Sequence, residues 1–131
     1  MLSYFSEEWC QEFGALLGGL PRQVGLSGIV RFSISKTPYG KVQFCLIVSD
    51  GQIDLVPGKD GDEHATVVWN YLDAVAWCKG ELDRDVAFMT GRCKVEGDYA
   101  TYVFILQPIF GGEHFTALLA ELAARSTSSV I

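Results

Sequence analysis

The amino-acid sequence predicts an α+β fold, in which helices gather on one face of a mainly antiparallel sheet. Apolar residues recur at helical spacing near both ends of the chain, runs of alternating apolar and polar residues lie between them, and an Asp50-Gly51 pair predicts a tight hairpin turn within those runs. A length of 131 residues suits one domain, so we expect a single domain over residues 1–131, with its core at about 5–123. Residues 124–131 are expected to form a frayed tail.

The first predicted element is an amphipathic helix that begins after Ser6. The serine side chain suits the N-cap position, and Glu7 and Glu8 suit the positive end of the helix dipole. The helix ends before Pro21. Its apolar residues share one face that a sheet must cover: Trp9, Phe13, Leu16, Leu17 and Leu20.

Three sequential antiparallel strands are predicted next. Residues 26–34 and 42–48 alternate in polarity, and the turn sequence TPYG at 37–40 separates them. The hairpin turn named above then leads into a third strand at 52–56. A polar loop at 57–64 ends this meander.

Two helices are predicted after a short extended run at 65–69. Asn70 suits the N-cap of the first helix, which ends before Gly80. Asp83 suits the start of a second, short helix that ends at Gly91. The first of these helices is apolar almost all round, so it is either deeply buried or borders something apolar besides its own sheet.

The last predicted elements are a hairpin and a helix. Strands at 92–96 and 99–107 are joined by a Gly97-Asp98 turn. The helix that follows Gly112 is amphipathic. Its apolar residues lie on one stripe: Phe115, Leu118, Leu119 and Leu122.

The charge and hydropathy of the chain disfavour several classes of partner. A net charge of −6 disfavours nucleic acid, because phosphates attract basic surfaces, and it disfavours electrostatic docking on anionic membranes. No run approaches the roughly 18 apolar residues of a membrane-spanning helix, so no stable membrane insertion is expected. Residues 1–14 carry acidic side chains and no basic one, unlike a secretory signal, so a cytoplasmic location is expected.

The reactive residues predict neither catalysis nor a metal site. The four cysteines are widely spaced, without a Cys-x-x-Cys pair, so we expect buried, reduced thiols that bind no metal: Cys10, Cys45, Cys78 and Cys93. His64 and His114 are expected at the surface, and a nucleophile pair of Cys78 or Cys93 with a distant histidine is disfavoured because a buried thiol is inert. The acidic loop at 60–63 lacks the ligand spacing of an EF-hand. No cofactor is expected, and the chain is not predicted to be an enzyme.

A motif at residues 80–97 carries a family resemblance. The stretch reads GELDRDVAFMTGRCKVEG. It contains Ala-Phe-Met at 87–89, then Gly91 followed by the basic Arg92, and it ends at Gly97. It resembles the most recognisable stretch of the sterol carrier protein type-two (nonspecific lipid-transfer, sterol-binding domain) family. The preceding extended run and helix match without a gap, and the upstream elements match in order, so that the resemblance covers about residues 5–110.

The resemblance implies a five-stranded sheet covered on one face by helices, with a hydrophobic tunnel between the layers. Family members bind fatty acids, fatty acyl-CoA or sterols without catalysis, and the same is expected of this chain, as a lipid binder or carrier. The residues expected to bind the lipid are Trp77, Leu82, Phe88, Met89, Val103, Ile105, Phe115 and Leu118. Methionine and aromatic side chains suit a cavity that accepts varied shapes.

An alternative function stays open beside the lipid carrier. The chain is then a non-catalytic protein–protein interaction or accessory domain of the same fold, whose tunnel is closed by large side chains. The three tryptophans and Phe88 are the candidates for closing it. Two departures from the family bear on the choice: the terminal tripeptide of peroxisomal members is missing, and the chain is acidic where many members are basic.

The last predicted strand raises the question of a homodimer. In the register that the resemblance implies, Thr101, Val103 and Ile105 face the helices. The opposite face then carries Tyr102, Phe104 and Leu106, where a single-layer sheet normally presents polar groups to water. Two interpretations stay open: partial cover by the termini of the chain, or a homodimer interface formed by these three residues.

Overall fold

The structure, a computed structural model, describes residues 2–20, 24–58, 63–110 and 113–127, without the side chains of 105–110 and 127. The elements follow in this order: β1 (Leu2–Ser3), α1 (Glu7–Gly18), β2 (Gly28–Thr37), β3 (Gly40–Ser49), β4 (Gln52–Pro57), β5 (Ala65–Asn70), α2 (Tyr71–Cys78), α3 (Arg84–Met89), β6 (Cys93–Gly97), α4 (Tyr99–Phe110), α5 (Glu113–Ala124) and β7 (Ser126–Thr127).

Five strands form the main sheet, in the order β4-β3-β2-β5-β6. The meander β2–β3–β4 is antiparallel, as predicted, and β5 also pairs antiparallel with β6. The strand β5 lies parallel to β2, with Val67 opposite Phe32. The sheet is therefore mixed but mainly antiparallel, and the predicted five-stranded α+β fold is confirmed.

Local sequence explains the meander and its buried face. Val30, Phe32 and Ile34 alternate along β2 and are all buried, as strand geometry requires of residues that share one face. The turn between β3 and β4 has positive φ at both Asp50 and Gly51, which is the backbone of a type I′ hairpin. Phe44 on β3 lies opposite Phe32 and adds to the same apolar face.

Three helices begin at the residues that the sequence predicts. The Ser6 hydroxyl accepts a hydrogen bond from the backbone N–H of Trp9, 3.2 Å away, and caps α1. Asn70 caps α2 by accepting from the N–H of Asp73 at 2.9 Å. Asp83 caps α3. Each cap satisfies an N–H group that has no partner inside its helix.

The segment from residue 99 is a helix, so the predicted strand at 99–107 is wrong. Asp98 caps α4: one carboxylate oxygen accepts from the N–H of Thr101 at 3.0 Å, and the other accepts from the threonine hydroxyl at 2.6 Å. These hydrogen bonds favour the charged carboxylate and hold the pKa of Asp98 below its usual value. The Gly97-Asp98 pair therefore ends β6 and starts a helix, rather than turning one strand into the next.

This correction removes the premise of the homodimer prediction. Tyr102 is only 6% exposed and contributes to the core, whereas Phe104 is 71% exposed. Residues two apart lie on different sides of a helix, so Tyr102 and Phe104 do not share one outer face. The side chain of Leu106 lies outside the description. An interface built on the outer face of a strand is therefore not available in this segment.

The first and last described strands pair with each other. Leu2 lies opposite Ser126 in a short parallel ladder, and the N–H of Leu2 donates to the carbonyl of Arg125 at 2.7 Å. Ser126, which falls in the predicted frayed tail, is therefore part of a strand; residues 128–131 lie outside the description. The single domain with a core at about 5–123 stays a prediction. None of the helices in the described part of the chain is long and apolar enough to span a membrane.

Candidate functional site

Connected aromatic rings occupy the space between the sheet and the helices. Phe32 stacks on Phe44 with 5.3 Å between ring centroids, and Trp77 of α2 lies 6.3 Å from Phe32 on another side. Trp77 also stacks on Trp69 of β5 at 5.4 Å. Such ring pairs stabilise a fold beyond the area they bury. The aromatic cluster thus joins the sheet to α2.

Phe13 of α1 extends this aromatic cluster to the other helices. Its ring centroid lies 6.2 Å from that of Phe44 on the sheet and 6.3 Å from that of Phe115 on α5. Trp9, one turn earlier, contacts Phe13 at 5.0 Å. Phe13 is itself buried. It therefore joins the ring of Phe44 on the sheet to the ring of Phe115 on α5. Each of these two rings also lines one of the two cavities described next.

The first cavity lies between the α2–α3 segment and α5 and has a volume of about 370 Å³. We call it the α5 cavity. Its apolar wall is formed by Trp77, Leu82, Phe115 and Leu119. Phe115 and Leu119 lie four residues apart on α5, so the helical repeat places both on the side that faces the cavity. Ala120, an exposed residue of the same helix, also lines it.

Charged residues of both signs border the α5 cavity. Lys79 and Arg84 supply the cations, and Asp83 and Asp85 supply the anions. The Arg84 guanidinium lies 3.5 Å from an Asp85 carboxylate oxygen and donates to the Tyr102 hydroxyl at 3.4 Å. The carboxylate of Asp83 accepts from two N–H groups at the start of α3. The guanidinium is thus held at the cavity by contacts on two helices.

The structure brings together three of the predicted lipid-binding residues and separates the others. Trp77, Leu82 and Phe115 line the α5 cavity. The remaining residues do not line it or fall outside the description: Phe88 and Met89 are exposed, Val103 is half-buried, Leu118 packs into the core, and the side chain of Ile105 is not described. Met89 is 83% exposed, because α3 is one short helix that buries only Ala87. Met89 therefore lies away from this cavity, and its role in lipid binding stays a prediction.

A second, larger cavity lies between α1 and the strands β3 and β4, with a volume of about 620 Å³. We call it the α1 cavity. None of the predicted site residues with a described side chain lines it. Its apolar part is formed by Phe5, Val42, Phe44 and Leu55. In the sequence Val42, Phe44 and Leu55 have the same alternating pattern as core residues, so no local signal marks them as cavity-lining. Only the placement of α1 over the sheet reveals the cavity.

The cysteines and His64 lie in structural environments. Cys78 is buried, and burial raises the pKa of its thiol. Burial likewise raises the pKa of Cys10 to about 11 and that of Cys93 to about 12. His64 is occupied in a structural role, because its Nδ1 accepts from the N–H of Ile29 at 3.1 Å. Within the described ranges, no group of three potential metal ligands is found.

The cysteines yield the first prediction. All four are free thiols, and three of them have raised pKa values, so the reactive thiolate is scarce at pH 8. Thiol titration without reductant is expected to count four thiols in denaturant and to react slowly with the folded protein, Cys10 first because it is the least buried of the four. A count of two or none in denaturant would contradict the prediction.

The fold and its cavities define a class: α+β domains in which helices cover one face of a sheet and border cavities with apolar walls. The description "SCP-2 sterol transfer family" belongs to the family model that matches residues 15–103 of this chain. Because the match covers more than half of the chain, this protein belongs to the SCP-2 sterol transfer family. The family resemblance seen in the sequence is thereby confirmed. A comparison with curated proteins gives no match.

Solved structures of similar fold include two small domains and part of an enzyme. A conserved hypothetical protein of Thermus thermophilus matches with a TM-score of 0.69 at 14% identity, over 94% of this chain and 92% of its own. Palmitated SCP2L2 from Aedes aegypti matches with a TM-score of 0.62 at 22% identity, over 83% and 97%. A sec-alkylsulfatase from Pseudomonas sp. matches with a TM-score of 0.51 at 20% identity, over 68% of this chain but 13% of its own. At these identities the likeness shows the fold.

Proposed function

We propose that this protein binds a long-chain lipid in the α5 cavity and acts as a carrier, without chemistry on the lipid. The observation that supports this most directly is the cavity itself. Its volume of about 370 Å³ falls within the range of roughly 300–1,000 Å³ found for small-molecule sites. Its wall of aromatic and leucine side chains suits an alkyl chain, and membership of a sterol transfer family supports a lipid ligand.

A fatty acid is the ligand class that the border of this cavity supports. Lys79 and Arg84 lie beside the apolar wall together with Asp83 and Asp85, and Arg84 pairs with Asp85, so Lys79 is the cation with which a carboxylate head can pair while its chain is buried. The Aedes aegypti relative carries a palmitate, which is also a fatty acid. Each buried methylene contributes about 0.8 kcal/mol, so affinity should rise with chain length until the cavity is full.

The absence of catalysis is part of the same proposal. Its support is that the buried thiols are held in the protonated form and that His64 is engaged by the backbone of Ile29. The similarity to an alkylsulfatase concerns 13% of that enzyme. A cytoplasmic location, expected from the sequence, stays a prediction.

Two tryptophan substitutions test the proposal with a matched control. Ala120→Trp places a large ring at the α5 cavity from an exposed helix position, so the fold should survive. We expect fatty-acid affinity to fall about tenfold, which corresponds to roughly two methylenes denied burial. Met89→Trp, at a position that does not line the cavity, should leave affinity unchanged. Displacement of a fluorescent fatty acid measures both variants.

A second candidate function has one observation in its favour. The aromatic cluster fills much of the space between the layers, and a closed tunnel is what an interaction or accessory domain of this fold would show. Lipid extraction and mass spectrometry separate the two candidates. If wild type gives no saturable binding and no co-purified lipid, the carrier proposal fails and the interaction domain takes its place.

A further inference from the structure

The strand β6 forms one edge of the main sheet. We propose that this edge pairs with the β6 strand of a second copy of the chain, so that two sheets join into one across a twofold axis. The inference goes beyond the proposed function, because it does not depend on lipid binding, and it uses none of Tyr102, Phe104 and Leu106. Its support comes from three features: the unpaired edge of β6, the order of charges along it, and the apolar side chains that α3 exposes beside it.

The edge of β6 is available for pairing. Among the residues that the structure describes, the strand is last in the order β4-β3-β2-β5-β6 and pairs with β5 on one side only. Three of its five residues are exposed: Lys94, Glu96 and Gly97. An unpaired edge presents a row of backbone N–H and C=O groups, which form a template for a strand from another chain.

The charges along β6 are ordered so that they complement themselves. Arg92, Lys94, Glu96 and Asp98 follow at every second position, with the two cations first and the two acids last. Cys93 lies in the core, so the alternation of a strand places Lys94 and Glu96 on the face away from the helices. All four charged residues are exposed, and none forms an ion pair with a residue that the structure describes.

Antiparallel pairing of two β6 strands about a twofold axis at Val95 brings these opposite charges together. Lys94 of each copy then lies opposite Glu96 of the other copy, and Arg92 lies opposite Asp98 just beyond the strand. Opposite charges across two strands stabilise a sheet, and like charges directly opposite destabilise it. A twofold axis at Lys94 or at Glu96 would place that residue opposite its own copy. The charges therefore favour the register centred on Val95.

The other edge of the sheet lacks this pattern. On the corresponding face β4 carries Gln52, Asp54 and Val56, so no register of self-pairing places opposite charges together. The last residue of β4, Pro57, also has no backbone N–H to donate. Of the two edges of the main sheet, β6 is thus the one whose charges suit a second copy.

The helix α3 exposes apolar side chains beside the same edge. Met89 is 83% exposed, Val86 50% and Phe88 41%, and the N–H of Arg92 donates to the carbonyl of Ala87 at 2.8 Å, which ties α3 to the start of β6. A twofold axis perpendicular to the sheet keeps the helices of both copies on one side, so it brings the two α3 helices together. Contact between them removes apolar surface from water, which a cluster of exposed apolar side chains favours.

The size of this surface predicts weak association. A five-residue strand and a six-residue helix form a small interface, so we expect a Kd between about 1 μM and 1 mM. Sedimentation equilibrium of wild type across this concentration range is expected to show a reversible shift from monomer to dimer. High salt should weaken the dimer, because it screens the exposed ion pairs.

Reversal of charge tests the register. Lys94→Glu places like charges opposite each other at two points of the interface, and Glu96→Lys does the same with the other sign. Each variant should weaken the dimer at least about tenfold, because two attractive pairs become two repulsive ones. An equimolar mixture of the two variants should restore the dimer, because every glutamate then lies opposite a lysine. Both positions are exposed, so the fold should survive, and circular dichroism checks this.

A matched pair of variants tests the contact between the α3 helices. Met89→Glu should weaken the dimer about tenfold, because it brings a charge into an apolar contact. Val24→Glu adds the same charge at a position 78% exposed and should leave the dimer unchanged. Val24 lies by the β3–β4 turn at the far side of the sheet, where the N–H of the next residue, Gly25, donates to the Asp50 carboxylate at 2.9 Å.

The outcomes decide the inference and leave the proposed function to its own test. A dimer that forms in the mixture of charge variants but in neither variant alone establishes pairing through β6. A wild type that is still monomeric at about 1 mM, or a mixture that stays monomeric, overturns it. Dimers of wild-type strength in both charge variants also overturn it, because the interface then lies elsewhere. The carrier proposal depends on fatty-acid binding to wild type and Ala120→Trp, which none of these results changes.

Discussion

Replacement of Phe13 by alanine is expected to lower the free energy of unfolding by about 3–5 kcal/mol, the range measured for removal of a buried aromatic ring. Phe13 is 2% exposed and contacts rings on the sheet, on α1 and on α5. Its removal leaves a cavity and breaks the aromatic contacts that join these elements. Urea denaturation of wild type and variant, followed by circular dichroism, measures the difference.

Two further variants test the reasoning about Phe13. Phe104→Ala, at a position 71% exposed, should change stability by less than about 0.5 kcal/mol. Phe13→Leu retains much of the buried volume and should lose clearly less than Phe13→Ala. Equal losses for Phe13→Ala and Phe104→Ala would show that the aromatic cluster is not packed as described.

Replacement of Gly97 by alanine is expected to destabilise the fold by roughly 2–4 kcal/mol, because two effects add at this position. The glycine has φ +90, a conformation that L side chains rarely adopt, and an added Cβ would lie 2.8 Å from the carbonyl oxygen of His64. That oxygen accepts a hydrogen bond from the N–H of Asp98 at 2.8 Å. The new methyl group would displace a carbonyl at the point where β6 ends and α4 begins.

The variant Gly91→Ala is a control that separates backbone strain from the close contact with His64 at Gly97. It has φ +78, but an added Cβ meets nothing within 4 Å. Gly91→Ala should therefore show the backbone strain alone, about 1–2 kcal/mol. Thermal or urea denaturation of both variants measures the difference. If Gly97→Ala is no more destabilising than Gly91→Ala, the close approach of His64 does not contribute.

The sequence predicted those elements whose signals are local. The caps Ser6, Asn70 and Asp83 were each assigned correctly, because the cap and its partner lie within three residues of each other. The type I′ turn was predicted for the same reason, since the positive φ of Asp50 and Gly51 depends on these two residues and not on distant parts of the chain. Element type is predictable where a few neighbouring residues decide it.

One error arose where two local signals conflict, and one feature was missed because distant residues decide it. Tyr, Val, Phe and Ile at 99–105 have high strand propensity, and two local signals opposed each other there: this propensity and the capping carboxylate of Asp98. In the structure the cap prevails, and Tyr102 packs beneath Arg84, whose guanidinium carbon lies 5.8 Å from the ring centre. The parallel pairing of β5 with β2 could not be predicted from local sequence signals, because it joins residues about 35 positions apart.

The site was predicted only in part for a related reason. Trp77 and Leu82 are predicted because apolar residues cluster at the family motif and just before it, and Phe115 is among the residues that the resemblance implies. Arg84 was missed, since its role depends on Tyr102, which the sequence placed on a strand. The α1 cavity has no sequence signal, because the residues that line it also satisfy the pattern of an ordinary core.

The pairing of β1 with β7 couples the two ends of the described chain. The N–H of Leu2 donates to Arg125, whose guanidinium pairs with Glu12 on α1 at 3.0 Å, so both ends are anchored to the same helix. Release of either strand removes the partner of the other. Local unfolding should therefore open both as one cooperative unit. Backbone amides of residues 2–3 and 126–127 should exchange with solvent at similar rates, through a single shared opening rather than two independent ones.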